Sequence, residues 1–245
     1  MIDAKWLSFT NPQAMIKALG RKASKRKRRL FGCACCRRIW DLIPDDRTRS
    51  AILVAERYAD GLADEEEFVI ARLAAKSAQE QFIEAVTETS YEDEECHALG
   101  ACFRVVMKNA GDVVVASWDA ALAKQAHQQT LRRNAGKSTS PDTSDTFDAW
   151  DAELAVQCAL VRDIFGSLLV SSRPIIDPAW VTWQDETIRR LAQAIYQERN
   201  FAGLPILADA LEEAGCDNAD ILAHCRNGGE HARGCWVVDL IIGKA

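Results

Sequence analysis

Strand-like alternation of apolar and polar residues is scarce along this chain, whereas residues that start and stop helices recur throughout. Asn11-Pro12 reads as the N-cap and first residue of a short helix ending at Gly20. Ser24 caps a second helix predicted to run to about Ile43, where Pro44 stops it. A third opens at Asp45 or Asp46, passes through AILVAERYADG and closes with Gly61 just past its end. Residues 64–88, rich in Ala, Glu and Gln, are predicted helical. Two further helices follow at about 95–108 and 112–133, broken near Gly111.

The stretch NAGKSTSPDTSDTFDA, 134–149, holds almost no apolar residue and reads as the clearest loop. A helix is predicted from about 147 to 165, ending at Gly166. SLLVSSRPIIDPAW reads as extended or irregular because Pro174 and Pro178 interrupt it. The last seventy residues read as four short helices: ETIRRLAQAIYQERN, Pro205 to Ala214 with Gly215 beyond it, Asn218 to Cys225, and GCWVVDLIIGK. The last is rich in β-formers, so a strand is its alternative. No fixed period of 30–45 residues appears, which argues against a regular solenoid. The expected fold is all-α, a compact multi-helix orthogonal bundle with a possible helical C-terminal subdomain. Its expected parts are 1–134 with the basic segment, a connection at 135–146, and 147–245, either as two domains or as one continuous body.

Charge changes this picture at one end. The 245 residues carry a net charge of −6, yet residues 1–50 hold thirteen Lys and Arg against four acids. The rest of the chain is correspondingly acidic. The basic excess concentrates in RKASKRKRRLFGCACCRRIW at 21–40. On a helical wheel Phe31, Leu42, Cys35, Ile39, Ile43, Cys36, Trp40 and Cys33 share one arc of ~200°. The three cysteines therefore read as packing residues, and the Cys33-x-x-Cys36 spacing as incidental to redox or metal chemistry. Nine cysteines in a chain of this size likewise suggest reduced thiols over a disulfide framework. Lys25, Arg26, Lys27, Arg28 and Arg29 spread right round the wheel and oppose the macrodipole at a helix N-terminus. An anion should compensate them. It is either the chain's own DEEE at 64–67 and EDEE at 92–95 or a partner, or a nucleic-acid phosphate met by Arg21, Lys22, Lys25, Arg26, Lys27, Arg28 and Arg29.

A second cluster lies near the C-terminus. His224-Cys225 and His231-x-x-x-Cys235 flank the turn RNGGE, and these two His and two Cys form a candidate zinc tetrahedron. The spacing matches no common zinc finger, and neighbouring His-Cys ligands chelate poorly. The plainer alternative makes His224 a helix end and Cys235 a core residue, with no cofactor at all. Trp180 and Trp183, beside the proline-interrupted stretch, are a candidate partner contact. No phosphate-binding loop, dinucleotide fingerprint, nucleophile elbow or H-E-x-x-H is present. No catalytic residue is assigned, and an enzyme is not the expectation.

The blocks KASKRKRRLFGCACCRRIW, AERYADGLA and LPILADALEEAGCDNADILAHCRNGGEHARGCWVVDLIIGK, with VRDIFG and DPAWVTW between them, resemble an uncharacterised family expanded in planctomycete bacteria. The resemblance leaves 64–145 uncovered and brings no known activity, catalytic residue or ligand with it. It implies a recurring module of a bacterial cytoplasm, and many paralogues suit partner binding more than housekeeping chemistry. No run approaches eighteen apolar residues and no secretory signal opens the chain, so a cytoplasmic location without a membrane span is expected. The leading expectation is a non-enzymatic helical protein-interaction or regulatory module. The alternatives are a nucleic-acid-binding regulator acting through 21–29 and a small zinc-binding module at the C-terminus.

Overall fold

A computed structural model describes residues 4–85, 94–135, 144–166 and 174–244. Among them are twelve α-helices, three short 3-10 turns and no strand, so the protein is all-α. No helix among the described residues is long and apolar enough to cross a membrane. Two compact units divide the chain, one of residues 9–158 and the other of residues 1–8 with 159–245. The division falls between residues 158 and 159; of the expected connection at 135–146, residues 136–143 lie outside the described residues.

In the 9–158 unit, local chemistry sets the helix ends. α2 (Pro12–Leu19) begins where the Asn11 side chain accepts from Ala14 N at 2.8 Å, and stops at Gly20, whose φ is 53°. α3 (Lys25–Arg38) begins where Ser24 Oγ accepts from Lys27 N at 3.2 Å. It ends earlier than expected. Pro44 disfavours helical geometry in Ile43, which is extended at ψ 113°, and Trp40–Leu42 tighten into a 3-10 turn before it. Asp45 caps α4 (Asp46–Ala59), and Asp64 accepts from Glu67 N at 2.8 Å at the start of α5 (Glu65–Ala85). α6 (Glu94–Val105) and α7 (Ala110–Asn134) follow, with the break between them near the expected glycine.

α3 packs on α4, α6 and α7, and is the central helix of this unit. Leu30, Phe31, Cys33, Cys35 and Cys36 of α3 are all buried, as are Ile52, Phe68, Leu99 and Cys102. Burial pushes the thiol pKa values of Cys33, Cys35 and Cys36 well up, with Cys102 hydrogen-bonded to Cys36. These thiols are neutral packing groups. Arg37 forks onto Glu56 at 2.6 and 2.9 Å, and Arg38 onto Glu153 of α8 (Ser144–Phe165) at 2.9 Å.

The other unit holds α1 (Ala4–Ser8), the end of α8, α9 (Pro178–Glu198), α10 (Leu204–Glu213), α11 (Ala219–Arg226) and α12 (Trp236–Ile242). The extended stretch expected at 167–180 ends sooner in its described part. Asp177 accepts from Ala179 N at 2.8 Å and Pro178 occupies the first turn, which starts α9. α9 then breaks at Trp183–Glu186, where Gln184, Asp185 and Glu186 take positive φ, and resumes as the expected 186–200 helix. The C-terminal apolar run is helical, not a strand. Ile188, Ala192 and Ile195 of α9 meet Leu207 and Leu211 of α10, Ile221 and Cys225 of α11, and Val237, Val238 and Ile241 of α12 in one core. Each such aliphatic side chain contributes about 1.5–3 kcal/mol on burial. At Gly166, where α8 gives out, φ is 59° and a β-carbon would sit 3.0 Å from Trp236 Cγ. Only glycine satisfies both the backbone and the ring.

Candidate metal centre

Four side chains of the 159–245 part converge beside this core. Asp163 comes from the last turn of α8, His224 from the last turn of α11, His231 from the loop after it, and Cys235 from the N-cap position of α12. On α11, Ile221 and Cys225 lie one turn apart and bury their side chains in the core. His224 precedes Cys225 directly, so the two side chains leave the helix ~100° apart. The expected tetrahedron of His224, Cys225, His231 and Cys235 is corrected for that reason. Cys225 faces the core, its thiol pushed up to about 12 chiefly by burial. Asp163 takes the fourth place.

The donor atoms of Asp163, His224, His231 and Cys235 all lie within 4.8 Å of one another, a grouping that could hold a metal ion. His231 Nδ1 is 2.7 Å and His224 Nε2 3.2 Å from the same oxygen, Asp163 Oδ1. His224 Nε2 also lies 3.1 Å from Cys235 Sγ. A single ring nitrogen thus faces both the carboxylate and the sulfur. A Cys–His–Asp relay needs the two imidazole nitrogens to face opposite partners, so this is not a catalytic triad. The remaining atoms are held from outside. Asp163 Oδ2 accepts from Ala232 N at 2.9 Å, and His231 Nε2 donates to Asn227 O at 2.9 Å. Such outer hydrogen bonds fix the tautomer and orientation of metal ligands.

The electrostatics agree with a shielded site. Asp163, His231 and Cys235 are almost wholly buried, and His224 only slightly less so. Trp236 covers His224, with ring centroids 5.2 Å apart. Burial by itself raises the Asp163 pKa, but the hydrogen bonds and charges of the two imidazoles outweigh it and hold the carboxyl below its ordinary value. Burial opposes the His231 cation, yet the Asp163 hydrogen bond and charge leave its pKa raised. The Cys235 thiol is pushed well up by burial and by Asp163, against a smaller pull from the amides of Val238 and Val237.

The basic segment is placed quite differently from a surface patch. Arg29 is buried, donates to Val105 O and Met107 O at the end of α6, and lies 4.6 Å from the Phe68 ring centroid. Burial lowers its pKa, with Cys33, Tyr58 and Glu65 opposing. Lys27 is buried too. Arg26 pairs with Asp60 at 3.0 Å, and Arg28 donates to Ala23 O at 3.0 Å and Gly20 O at 2.6 Å. The expectation of seven anion-facing cations is therefore corrected. Cations that spread round a helix include some on its core side, where α6 supplies carbonyls. Arg21, Lys22 and Lys25 remain exposed. Of the acidic runs, Glu67 pairs with Arg57, and Glu94 with His127 at 3.1 Å; residues 92 and 93 lie outside the described residues. Trp180 and Trp183 are half-buried against the C-terminal core.

Asp163 was missed by the sequence reading. Its signal was an acid inside LVRDIFG, flanked by residues that bury as Val161, Ile164 and Phe165 do. What the fold and site define is an all-α protein with a candidate metal centre in its C-terminal part. No family model, curated protein or solved structure matches the chain.

Proposed function

We propose that the C-terminal part is a small zinc-binding module in which the ion serves as an internal cross-link, within a protein that acts as a non-enzymatic helical interaction or regulatory module. The observation that carries this is the convergence of one donor atom each from Asp163, His224, His231 and Cys235 within 4.8 Å of one another. A tetrahedron with Zn–N and Zn–O of about 2.0–2.1 Å and Zn–S of about 2.3 Å has edges of roughly 3.3–3.6 Å. The separations of 2.7, 3.1 and 3.2 Å lie inside those edges and the widest in the group, up to 4.8 Å, outside them, so seating the ion takes shifts in both directions.

The donor set favours zinc over harder cations, because magnesium, calcium and manganese prefer all-oxygen surroundings. Four protein ligands leave no position for water, which suits a structural role over a catalytic one. Zinc requires the Cys235 thiol to give up its proton and His231 to be neutral at Nδ1. The hydrogen bond from His231 Nε2 to Asn227 O leaves Nδ1 as the ligating atom. Protein purified and dialysed against metal-free buffer should retain about one zinc per chain. Cobalt substitution should give the visible absorption of a tetrahedral site with a thiolate ligand. Retention of no zinc, with no uptake on titration, would remove this reading.

For the wider role, the half-buried Trp180 and Trp183 beside the C-terminal core supply an aromatic surface suited to a protein partner. A nucleic-acid partner draws support only from the exposed Arg21, Lys22 and Lys25, on a chain of net charge −6.

A further inference from the structure

We infer that the outward face of the α4–α5 pair is a docking surface for a basic-ended amphipathic helix of another protein. The inference stands apart from the zinc reading and gives the interaction role a surface and a partner chemistry of its own.

The face follows from the register of the two helices. Arg57, near the end of α4, pairs with Glu67 at the start of α5, while Arg47, near the start of α4, donates to Gln81 toward the end of α5 at 2.8 Å. The helices therefore pack antiparallel. That register sets Leu53, one turn before Arg57, at the level of Leu73. Along α5, Glu66, Ile70, Leu73, Ser77, Glu80 and Glu84 fall within one arc of ~80°. Phe68, Ala71, Ala75 and Ala78, on the opposite side, are buried. Ile70 is 60%, Leu73 57% and Leu53 41% exposed. A solitary exposed aliphatic residue needs no explanation, but three gathered on two packed helices make an apolar strip of the kind that marks an interaction site.

Carboxylates close the strip at both ends. Residues 64–84 hold six acids against two cations. Lys76 is engaged with Glu80 at 3.4 Å, and Glu65 with Tyr58 Oη at 2.7 Å and Lys108 at 3.9 Å. Glu66 and Glu84 are exposed and carry no ion pair among the described residues. From Glu66 to Glu84 the face is ~27 Å long, the length of a helix of about 18 residues.

This charge pattern selects the occupant. A second copy of the face laid parallel would set Glu66 on Glu66 and Glu80 on Glu80. Laid antiparallel about the midpoint of Ile70 and Leu73, it would set Asp64 beside Glu80. Like charges repel in both arrangements. The same acids repel an anionic lipid surface. A helix that lays an aliphatic stripe on Leu53, Ile70 and Leu73 and carries Lys or Arg toward both ends matches the face in shape and in charge.

The test is fluorescence anisotropy of the full chain with a designed helical peptide of about 20 residues. It carries a Leu stripe with Lys at both ends, and its twin has Glu in place of Lys. The Lys-ended peptide should bind, and the Glu-ended one at least about tenfold more weakly. Ile70→Ser combined with Leu73→Ser should weaken the Lys-ended peptide by about tenfold or more. Glu66→Lys combined with Glu84→Lys should reverse the preference between the two peptides. All four positions are exposed, so unchanged melting temperatures should show that the variants are folded. No binding of the Lys-ended peptide, equal binding of both, or binding unchanged by the two serines overturns the inference. Sedimentation of the chain alone adds a further arm: self-association abolished by the two serines overturns it in favour of a second copy. None of these outcomes touches zinc content, so the metal reading stands or falls separately.

Discussion

The carboxylate of Asp163 meets His231 Nδ1 at 2.7 Å across 68 positions of sequence. This contact joins the end of α8 to the loop before α12, and it places Asp163 at the centre of the proposed zinc site. Asp163→Asn keeps the shape and removes the charge. Zinc affinity should fall by more than about 100-fold, because loss of even outer-shell partners typically costs 10–100-fold. A competition titration against a chromophoric chelator measures this, and unchanged affinity would remove Asp163 from the ligand set.

The two cysteines of the cluster separate the structural site from the one expected from spacing. Cys235→Ser should abolish stoichiometric zinc. Cys225→Ala should retain it and cost only stability, about 1 kcal/mol for a small buried group. Elemental analysis of the two purified variants decides. Loss of zinc in Cys225→Ala would restore the tetrahedron of His224, Cys225, His231 and Cys235.

Helix ends were legible in advance wherever one residue carries the chemistry. Asn11 and Ser24 cap the helices they were expected to cap, and Gly61 and Gly215 take the positive φ that follows a helix. The buried cysteines of α3 were legible from the wheel. What could not be read was long-range. Arg29 looked like part of a surface run because the carbonyl it reaches lies 76 residues away. Asp163 looked like an ordinary helix acid because its two histidines lie on and just after α11, the third α-helix further along the chain. His224 and Cys225 looked like joint ligands because adjacency in sequence conceals the ~100° between their side chains.

Gly166 predicts a stability effect with no metal in it. Alanine there must adopt φ 59° and place its β-carbon 3.0 Å from Trp236 Cγ. Gly166→Ala should destabilise by about 1–3 kcal/mol, the usual range for a strained backbone position. Denaturant unfolding gives the value, and a neutral result would mean that Trp236 moves aside freely.

The basic segment should divide in the same way. Arg29→Met leaves the carbonyls of Val105 and Met107 without their buried donor and should cost about 2–4 kcal/mol. Arg21→Ala, on an exposed side chain, should stay within about 0.5 kcal/mol. Any binding to nucleic acid then rests chiefly on Arg21, Lys22 and Lys25, and three phosphate contacts give a salt slope no steeper than about −3. A much steeper slope would show that the buried cations turn outward on binding.

The acid–base behaviour of the site separates the metal-free from the metal-bound protein. In the metal-free protein the Asp163 pKa is depressed below its ordinary 3.8, so its stabilisation is present above that value and is lost as pH falls through the folded value. The His231 pKa is raised above 6.5, so its stabilisation is full below that value and is lost as pH rises through the folded value. The stability difference between the metal-free protein and its His231→Gln variant should therefore be greatest between about pH 4 and 6.5 and should shrink toward pH 8. Zinc reverses the upper slope, because binding displaces protons from His231 and Cys235 and tightens as pH rises. Melting wild type and variant across pH 4–8, with chelator and with zinc, should give opposite trends above pH 6.5. Parallel trends would mean that no ion replaces the proton between Asp163 and His231.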